Sequence, residues 1–364
     1  MSTGEATSTD TAAQYWAGFD PRDQAPAIFD ARVAEAGLHA PAARSWLARL
    51  VKHADFDPVS WNAHGQLPMR VGNAVGRLPR LKLDTIVTSP RDNFRKMRLM
   101  TPDDKAVETV LIPLEKPGAV SVCLSSQVGC AFGCVFCATA RMKDRRNLAT
   151  WEIVDQMAHA FETVRAEGRR VTGAVFMGMG EPLANYDKVM AAAELFSCCY
   201  GGMIRADSMT ISTVGLVPEI HRFIDERRRF RLSMSLGAAI DEKRAKLVPV
   251  AARWPVRDLM AAARRYALTY GHRVNLAYVC LADENMGEDD ITALADIIGD
   301  TPVRLDLIEV TDLTNTYRRP TIDELNHFRA RLKDVLKQPV VRRYSGGADI
   351  AAACGTLAGL KNEM

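Results

Sequence analysis

Strand-like and helix-like segments alternate along most of this chain. Short apolar runs are followed by longer runs in which apolar residues recur at helical spacing. The predicted strands are 120–123, 171–177, 208–212, 230–236, 274–279, 303–308 and 340–343, and the predicted helices are 150–165, 185–199, 218–228, 255–270, 289–298 and 321–336. Repeated βα units of about 30 residues predict an α/β fold with a parallel sheet, closed or partly closed as a barrel. Ligands in such folds bind at the carboxyl ends of the strands.

The loop after the first of these strands carries three closely spaced cysteines. Cys130, Cys134 and Cys137 have the spacing C-x3-C-x2-C. Three thiolates this close together can ligate three irons of a 4Fe-4S cluster, which leaves the fourth iron free to bind a small molecule. The alternative is a structural zinc site, in which Cys123 would complete a set of four thiolates. Zinc sites usually pair two C-x2-C hooks across a longer loop, so zinc is the weaker interpretation.

Composition excludes several classes of protein. The chain has 364 residues, of which 48% are hydrophobic and 25% are charged, as in a globular protein. No apolar run approaches the roughly 20 residues that span a bilayer, and residues 1–14 lack the cationic start and apolar core of a secretory signal. We therefore predict a cytoplasmic protein with no membrane association. The net charge of +3 permits an RNA partner but does not argue for one.

The sequence divides into five predicted regions. They are a disordered N-terminus (1–20), a helical accessory domain (21–85), a β linker with a hairpin (86–119), the barrel (120–345) and a C-terminal tail (346–364). The helical domain has several basic side chains. Most such charges belong to solvated faces, and the remainder are candidates for RNA contact.

Further candidate site residues follow the predicted strands or lie in the tail. Residues 177–182 read Met-Gly-Met-Gly-Glu-Pro, where glycines allow close approach of a ligand and Glu181 can accept hydrogen bonds from an ammonium group. Residues 211–215 and 233–237 place serines at strand ends, where turn and cap serines are also common. Cys354 lies among alanines and glycines, either as a nucleophile that enters an active site or as an incidental cysteine.

Together these motifs resemble the RlmN/Cfr family of radical S-adenosylmethionine (SAM) RNA methyltransferases. The resemblance covers about residues 43–359, and its four motifs, 123–137, 177–182, 211–215 and 349–359, occur in the family's order. It implies a radical SAM (β/α) barrel and an enzyme that methylates carbon 2 or carbon 8 of an adenine in ribosomal or transfer RNA. It also implies a 4Fe-4S cluster, two SAM molecules per turnover and a flavodoxin-type reductase as electron donor. We expect a monomer.

The resemblance also implies roles for individual residues. The cluster would be bound by Cys130, Cys134 and Cys137. The SAM site would be lined by Gly180, Glu181, Ser212, Ser235, Leu236, Gly237 and Thr311. Cys354 would carry the methyl group to the ring carbon, Cys123 would resolve the covalent intermediate by forming a transient disulfide with Cys354, and Glu108 would accept a proton.

The chain departs from the family pattern at two positions of the implied SAM and substrate pocket. Gly237 stands where the family usually has His, and Thr311 stands where it has Asn. These departures keep open a second function, in which the same chemistry acts on a heteroaromatic small molecule. A non-catalytic metal-binding protein is the alternative from another class.

Overall fold

The computed structural model describes residues 15–57, 60–61 and 67–359. In these residues, strands β1 to β12 are Lys82–Thr88, Arg95–Met100, Ala106–Pro113, Ala119–Cys123, Gln127–Val128, Arg146–Asn147, Arg170–Phe176, Met209–Thr213, Arg231–Ser235, Val274–Cys280, Val303–Glu309 and Val340–Arg342. Helices α1 to α10 are Pro26–Glu35, Ala40–His53, Met69–Val75, Thr150–Arg165, Tyr186–Ser197, Val217–Asp225, Asp241–Leu247, Val256–Tyr270, Glu288–Ile298 and Ile322–Leu336. No helix in these ranges is long and apolar enough to cross a membrane.

Ten strands form one mixed sheet in the order β1-β2-β3-β4-β7-β8-β9-β10-β11-β12. The strands from β1 to β4 pair antiparallel, and those from β4 through β7 to β12 pair parallel. The predicted α/β fold with a partial parallel barrel is therefore confirmed, with the described strands arranged as an open series. Strands β5 and β6 pair with each other outside this sheet.

Local sequence explains why the repeating part was predictable. Helix α10 begins after Thr321, whose hydroxyl accepts a hydrogen bond from Glu324 N, while the Glu324 carboxylate accepts one from Thr321 N. This reciprocal cap fixes the start of the helix at the predicted place. The parallel strands are buried on both faces, as in β11, and such strands are recognisable as nearly continuous apolar runs.

The N-terminal part differs from the prediction in two respects. Residues 1–14 lie outside the described residues, but disorder at residues 15–20 is wrong because Trp16 is fully buried and packs edge-on against Trp46. Burial of a large aromatic ring outweighs the polar composition around it. Strand β1 begins at Lys82, inside the range that we assigned to the helical domain. The two strands predicted for the hairpin are present as β2 and β3.

Besides β1, helix α7 and the short strands β5 and β6 were not predicted. Helix α7 reads Asp-Glu-Lys-Arg-Ala-Lys-Leu and lacks the apolar stripe that identifies a helix from sequence. The pair β5–β6 has only two residues in each strand, too few for a period to be seen. Both lie beside the cysteine loop, between the regular βα units.

The C-terminal segment runs across the antiparallel strands towards the carboxyl ends of the parallel ones. The Ser89 hydroxyl donates to Asp349 Oδ1 at 2.9 Å, and Gly347 N donates to Asp92 Oδ2 at 2.8 Å. Further along, Arg98 Nε donates to Gly359 O at 2.9 Å. These bonds fix the path of the tail, which brings its cysteine to the end of the sheet where ligands are expected.

Candidate active site

A cavity of about 1080 Å³, including its open mouth, lies at the carboxyl ends of the parallel strands. The loop after β4, the turns after β7, β8, β9 and β11, strand β10 itself and the C-terminal tail all contribute to its wall. The predicted site residues that line it are Cys134, Cys137, Gly180, Glu181, Ser212, Ser235, Gly237, Thr311 and Cys354. The topology thus gathers residues from one end of the sheet and from the tail around one space.

The three cysteines of the C-x3-C-x2-C motif lie on one loop beside this cavity. Burial raises the pKa of Cys130 to about 11 and raises that of Cys134 still more, and the charge of the Cys137 thiolate acts in the same direction on both. The loop is held in place because Val135 N donates to Leu247 O at 3.1 Å. Buried thiolates that repel one another are stabilised by a bound metal centre.

The arrangement fits a cluster better than a single ion. A 4Fe-4S cluster takes its thiolate ligands on separate irons, and the C-x3-C-x2-C spacing of Cys130, Cys134 and Cys137 supplies three of them. Cys123, which a four-thiolate zinc site would need, lines a different cavity. The donor set therefore fits three-point ligation of a cluster.

Glu181 is a buried carboxyl group at the wall of the cavity. It accepts hydrogen bonds from Leu183 N at 3.0 Å and from Val214 N at 2.9 Å. Burial raises its pKa to about 7. Gly180 precedes it with φ +99°, and a Cβ there would lie 2.5 Å from Gln127 Cβ, so glycine is required. Within the described residues Glu181 has no ion pair, and a cationic group of a ligand could supply one.

A buried arginine connects the turns after β8 and β9 by hydrogen bonds. Arg244 is 1% exposed and donates to Val214 O, Leu236 O and Trp254 O at 2.9 to 3.0 Å. Burial lowers its pKa to about 10. Leu236 is fully buried and does not line the cavity, although the resemblance placed it in the SAM site. Its carbonyl binds Arg244 and thereby helps to shape the adjoining turn.

A second cavity shares a wall with the first. Cys354, Met177, Arg343 and Leu357 line both cavities, whereas Cys123 lines only the second. Burial raises the pKa of Cys123 to about 12, the Cys354 thiolate raises it, and the Arg343 guanidinium lowers it. The fold therefore places two thiols that are far apart in the sequence, Cys123 of the barrel and Cys354 of the tail, in the lining of one cavity.

Comparisons with known proteins agree with this geometry. The radical SAM superfamily profile matches residues 124–297. A Myxococcus xanthus protein named "Probable RNA methyltransferase" is 44% identical over 299 residues, which are 80% of this chain and 81% of that protein. The "Dual-specificity RNA methyltransferase RlmN" of Syntrophotalea carbinolica is 37% identical over 284 residues, 78% of this chain and 74% of that protein. This chain belongs to the RlmN/Cfr family.

A solved structure supports the same assignment at the level of the fold. The crystal structure of a radical SAM methyltransferase from Sphaerobacter thermophilus matches with a TM-score of 0.85 and 33% identity. The match covers 94% of this chain and 100% of that one. As a member of the RlmN/Cfr family, the chain is a SAM-dependent methyltransferase whose cofactors are a 4Fe-4S cluster and SAM.

The departure from the RlmN/Cfr pattern at Gly237 has a local structural reason. Its backbone is left-handed, with φ +74°, and a Cβ would lie 3.0 Å from Val248 Cγ2. A side chain here would be strained and would push against the wall of the cavity. The Gly237 carbonyl accepts a hydrogen bond from Asn285 Nδ2 at 2.8 Å. Thr311, the other departure, does line the cavity.

Glu108, the implied proton acceptor, lines neither cavity. It is fully buried beneath the tail, 3.1 Å from Lys96 Nζ through Oε1. Its Oε2 accepts hydrogen bonds from Ala358 N and Gly359 N at 2.9 and 3.0 Å. The proton-acceptor role stays a prediction, and the geometry gives Glu108 a structural relation to the tail.

Sequence reasoning missed three charged residues of this site. Arg343 is the last residue of the predicted strand 340–343, and Glu309 directly follows the predicted strand 303–308. The rule that ligands bind at strand ends could therefore have identified both residues. The Glu309 carboxylate pairs with Arg319 and Arg342 at the cavity wall. Arg244 lies in a charged run that is typical of a solvated helix, and no sequence signal marks it as buried.

Proposed function

We propose that this chain transfers a methyl group, by way of Cys354, to an sp2 carbon of an adenine in ribosomal or transfer RNA. One observation carries the proposal: Cys354 stands in the wall between two cavities, one lined by Cys134, Cys137 and Glu181 and the other by Cys123. The names of the relatives, which include "Dual-specificity RNA methyltransferase RlmN", support RNA as the substrate.

The chemistry requires both cavities. When bound, the cluster and SAM supply a methyl group and the radical chemistry that an unreactive ring carbon demands. Glu181 would bind the SAM ammonium group, and Ser212 and Ser235 would donate hydroxyl hydrogen bonds to its polar atoms. Cys354, which lines the same cavity as Cys134 and Cys137, would carry the methyl carbon and present it to the adenine. The Cys123 thiol would then attack the Cys354 sulfur, so that the S–S bond forms as the bond between that sulfur and the transferred carbon breaks. That carbon gains a proton and leaves as the methyl group of the product, and a reductant must reopen the disulfide before the next turnover.

We assign the helical part of the chain, α1 to α3 and the residues that follow as far as Lys82 at the start of β1, to RNA contact. Arg70, Arg77 and Lys82 are exposed there and have no carboxylate partner among the described residues. Cations without partners can neutralise phosphates. We further propose a flavodoxin-type reductase as electron donor, action as a monomer and a location in the cytoplasm, all on the basis of the family resemblance.

The proposal is tested by mapping methyladenosines in RNA. Total RNA from a strain that lacks the enzyme is incubated anaerobically with the reconstituted protein, SAM and reductant, and is then analysed by mass spectrometry. We expect a new methyladenosine at a defined position with the natural chain and none with Cys354→Ser. The matched control is Cys199→Ser, because Cys199 is exposed and lines neither cavity.

Two results would overturn parts of the proposal. Turnover of an isolated heteroaromatic compound without RNA methylation would replace RNA by a small molecule as substrate. Unchanged RNA methylation by Cys354→Ser would remove the cysteine from the pathway of the methyl group.

A further inference from the structure

One buried ion pair closes the base of the loop that carries Cys354. On the N-terminal side of the loop, Lys96 Nζ donates to Ala351 O at 3.3 Å. On the C-terminal side, Glu108 Oε2 accepts from Ala358 N and Gly359 N at 2.9 and 3.0 Å. Lys96 and Glu108 contact each other at 3.1 Å. The two ends of the segment 351–359 are therefore held by a single pair of charges.

The pair lies inside the protein. The side chain of Lys96 is 5% exposed and that of Glu108 is 0% exposed. Removing one partner of such a pair leaves a buried charge without compensation, and the surrounding chain must rearrange to solvate it. The position of the loop is therefore coupled to the presence of both charges.

The two partners come from neighbouring strands, which makes the anchor rigid. Lys96 lies on β2 and Glu108 on β3, and the two strands pair antiparallel, with Arg98 opposite Glu108. Glu108 is also fixed through its backbone, because Ser125 Oγ donates to Glu108 O at 2.6 Å. Strand β3 also pairs with β4, where Val110 lies opposite Cys123. One strand thus positions the resolving thiol and anchors the loop of the other thiol.

The middle of the loop is attached elsewhere. Ala138 N donates to Gly355 O at 2.7 Å, and Thr139 Oγ1 donates to Leu357 O at 2.5 Å. These donors are the first and second residues after Cys137. The loop therefore contacts the cluster loop near its middle and the Lys96–Glu108 pair at its ends, with Cys354 between these attachments.

We propose that Lys96 and Glu108 are positioning residues, which hold the loop 351–359 so that the Cys354 sulfur stays within reach of Cys123. The inference rests on the proposed function in that it treats Cys354 as the carrier of the methyl group. It differs from the implied role of Glu108, because a proton acceptor acts only after RNA has bound. Glu108 Oε1 lies 3.1 Å from Lys96 Nζ, and Oε2 accepts the two hydrogen bonds from the tail.

The first test uses the full chain without cluster, SAM or RNA. Diamide accepts two electrons and two protons from Cys123 and Cys354 as their disulfide forms, and peptide mass spectrometry follows that disulfide. We expect Lys96→Met to slow its formation by about tenfold, because a loosened loop lowers the effective concentration of one thiol at the other. The matched control is Lys105→Met, which removes the exposed Lys105–Asp144 pair near the same hairpin.

Hydrogen exchange of the same variants reports the loop directly. We expect the amides of Ala358 and Gly359 to exchange about tenfold faster in Lys96→Met, as for loss of a hydrogen bond to a charged group. If Lys96→Met does not fold, Glu108→Gln decides by the same two measurements, since glutamine keeps the size but removes the charge. Lys96→Arg, which keeps the charge, is expected to retain most of the natural disulfide rate.

The two roles of Glu108 give different outcomes. A positioning role requires that Lys96→Met and Glu108→Gln both change exchange in the loop and the disulfide rate. The proposal is overturned if a folded variant of either residue stays within about twofold of the natural chain in either measurement. Neither measurement involves RNA. If the chain methylates no RNA, the proposed function is refuted, whereas this inference is still decided by the disulfide rate and the hydrogen exchange.

Discussion

Cys123 at the end of β4 and Cys354 in the C-terminal segment line one cavity, and negative charge on Cys354 raises the pKa of Cys123. Cys354 also lines the cavity of the cluster cysteines, whereas Cys123 does not. This asymmetry separates the two sulfur functions in space. A methyl group on Cys354 would face the cofactor side, and the thiol that releases the product would approach from the other side.

Arg343 is expected to control the reactivity of Cys123. Its guanidinium lowers the pKa of the Cys123 thiol against the effect of burial, which raises that pKa to about 12. Arg343→Met should therefore slow alkylation of Cys123 by iodoacetamide by a factor on the order of 3 to 10 near pH 9, because less thiolate is present. Peptide-resolved mass spectrometry measures the rate.

Arg342 provides the control for this prediction. It is the preceding residue, but its guanidinium pairs with Glu309 and does not line the second cavity. Arg342→Met should leave the alkylation of Cys123 unchanged. Equal rates in Arg343→Met and the natural chain would show that the arginine does not act on this thiol.

The raised pKa of Glu181 predicts that the stability of the cofactor-free chain depends on pH. Burial raises its pKa from 4.5 to about 7, so the folded chain holds this proton more tightly than the unfolded chain. The contribution to the free energy of unfolding is therefore fully present below about pH 4.5 and is lost as the pH rises through about 7. The expected loss is on the order of 3 kcal/mol.

Urea unfolding at pH 4.5 and pH 8 checks this prediction. Glu181→Gln should remove most of the difference between the two pH values, whereas Glu288→Gln, at an exposed residue of α9, should keep it. A natural chain whose stability rises over this range, with Glu181→Gln unchanged, would contradict the assignment of a raised pKa to this carboxyl group.

The exposed cations of the N-terminal part are expected to bind RNA phosphates. Replacing Arg70, Arg77 and Lys82 together by glutamine should weaken RNA binding and should lower the salt dependence by roughly 0.7 to 0.9 per lost phosphate contact. Fluorescence anisotropy at several KCl concentrations measures both quantities. Arg257→Gln on α8, whose side chain is 88% exposed, is the control for a general loss of charge. Equal salt slopes for the triple variant and the control would argue against phosphate contact.

Trp46 is the centre of the aromatic core of the same region. It is fully buried and contacts Trp16, Phe29 and Trp61. Trp46→Ala should lower the free energy of unfolding by about 3 to 5 kcal/mol, through lost burial and the cavity that remains. Leu268→Ala, at a side chain that is 65% exposed, should change it by less than about 0.5 kcal/mol. Denaturant titration of both variants distinguishes a packed core from a loosely attached segment.

Much of the fold and part of the site followed from local sequence. The capping residue Thr321 predicts the start of helix α10, and the spacing of the three thiols predicts the cysteine loop. The rule that parallel strands gather ligands at their carboxyl ends places Glu181 and Ser212 together without any further information. These features depend on residues close to one another in the chain, which is why the pattern is sufficient.

Features that depend on distant contacts could not be predicted. Burial of Trp16 requires the position of Trp46, and Leu236 turns inward although its neighbours line the cavity. The shared wall at Arg343 exists only because the tail folds back across the sheet. The same tail also covers Glu108. The sequence of β3 gives no sign of this, because Glu108 is simply the one charged residue of that strand.

The most direct test of the account follows a labelled methyl group from Cys354. Cys354 is first methylated with SAM that carries a ¹³C methyl group, the excess is removed, and a single turnover is started with RNA, reductant and unlabelled SAM. Mass spectrometry then locates the label. The account predicts that the ¹³C carbon leaves Cys354 and appears on an adenine ring of the RNA. Label that stays on Cys354 while unlabelled methyl groups reach the RNA would contradict it.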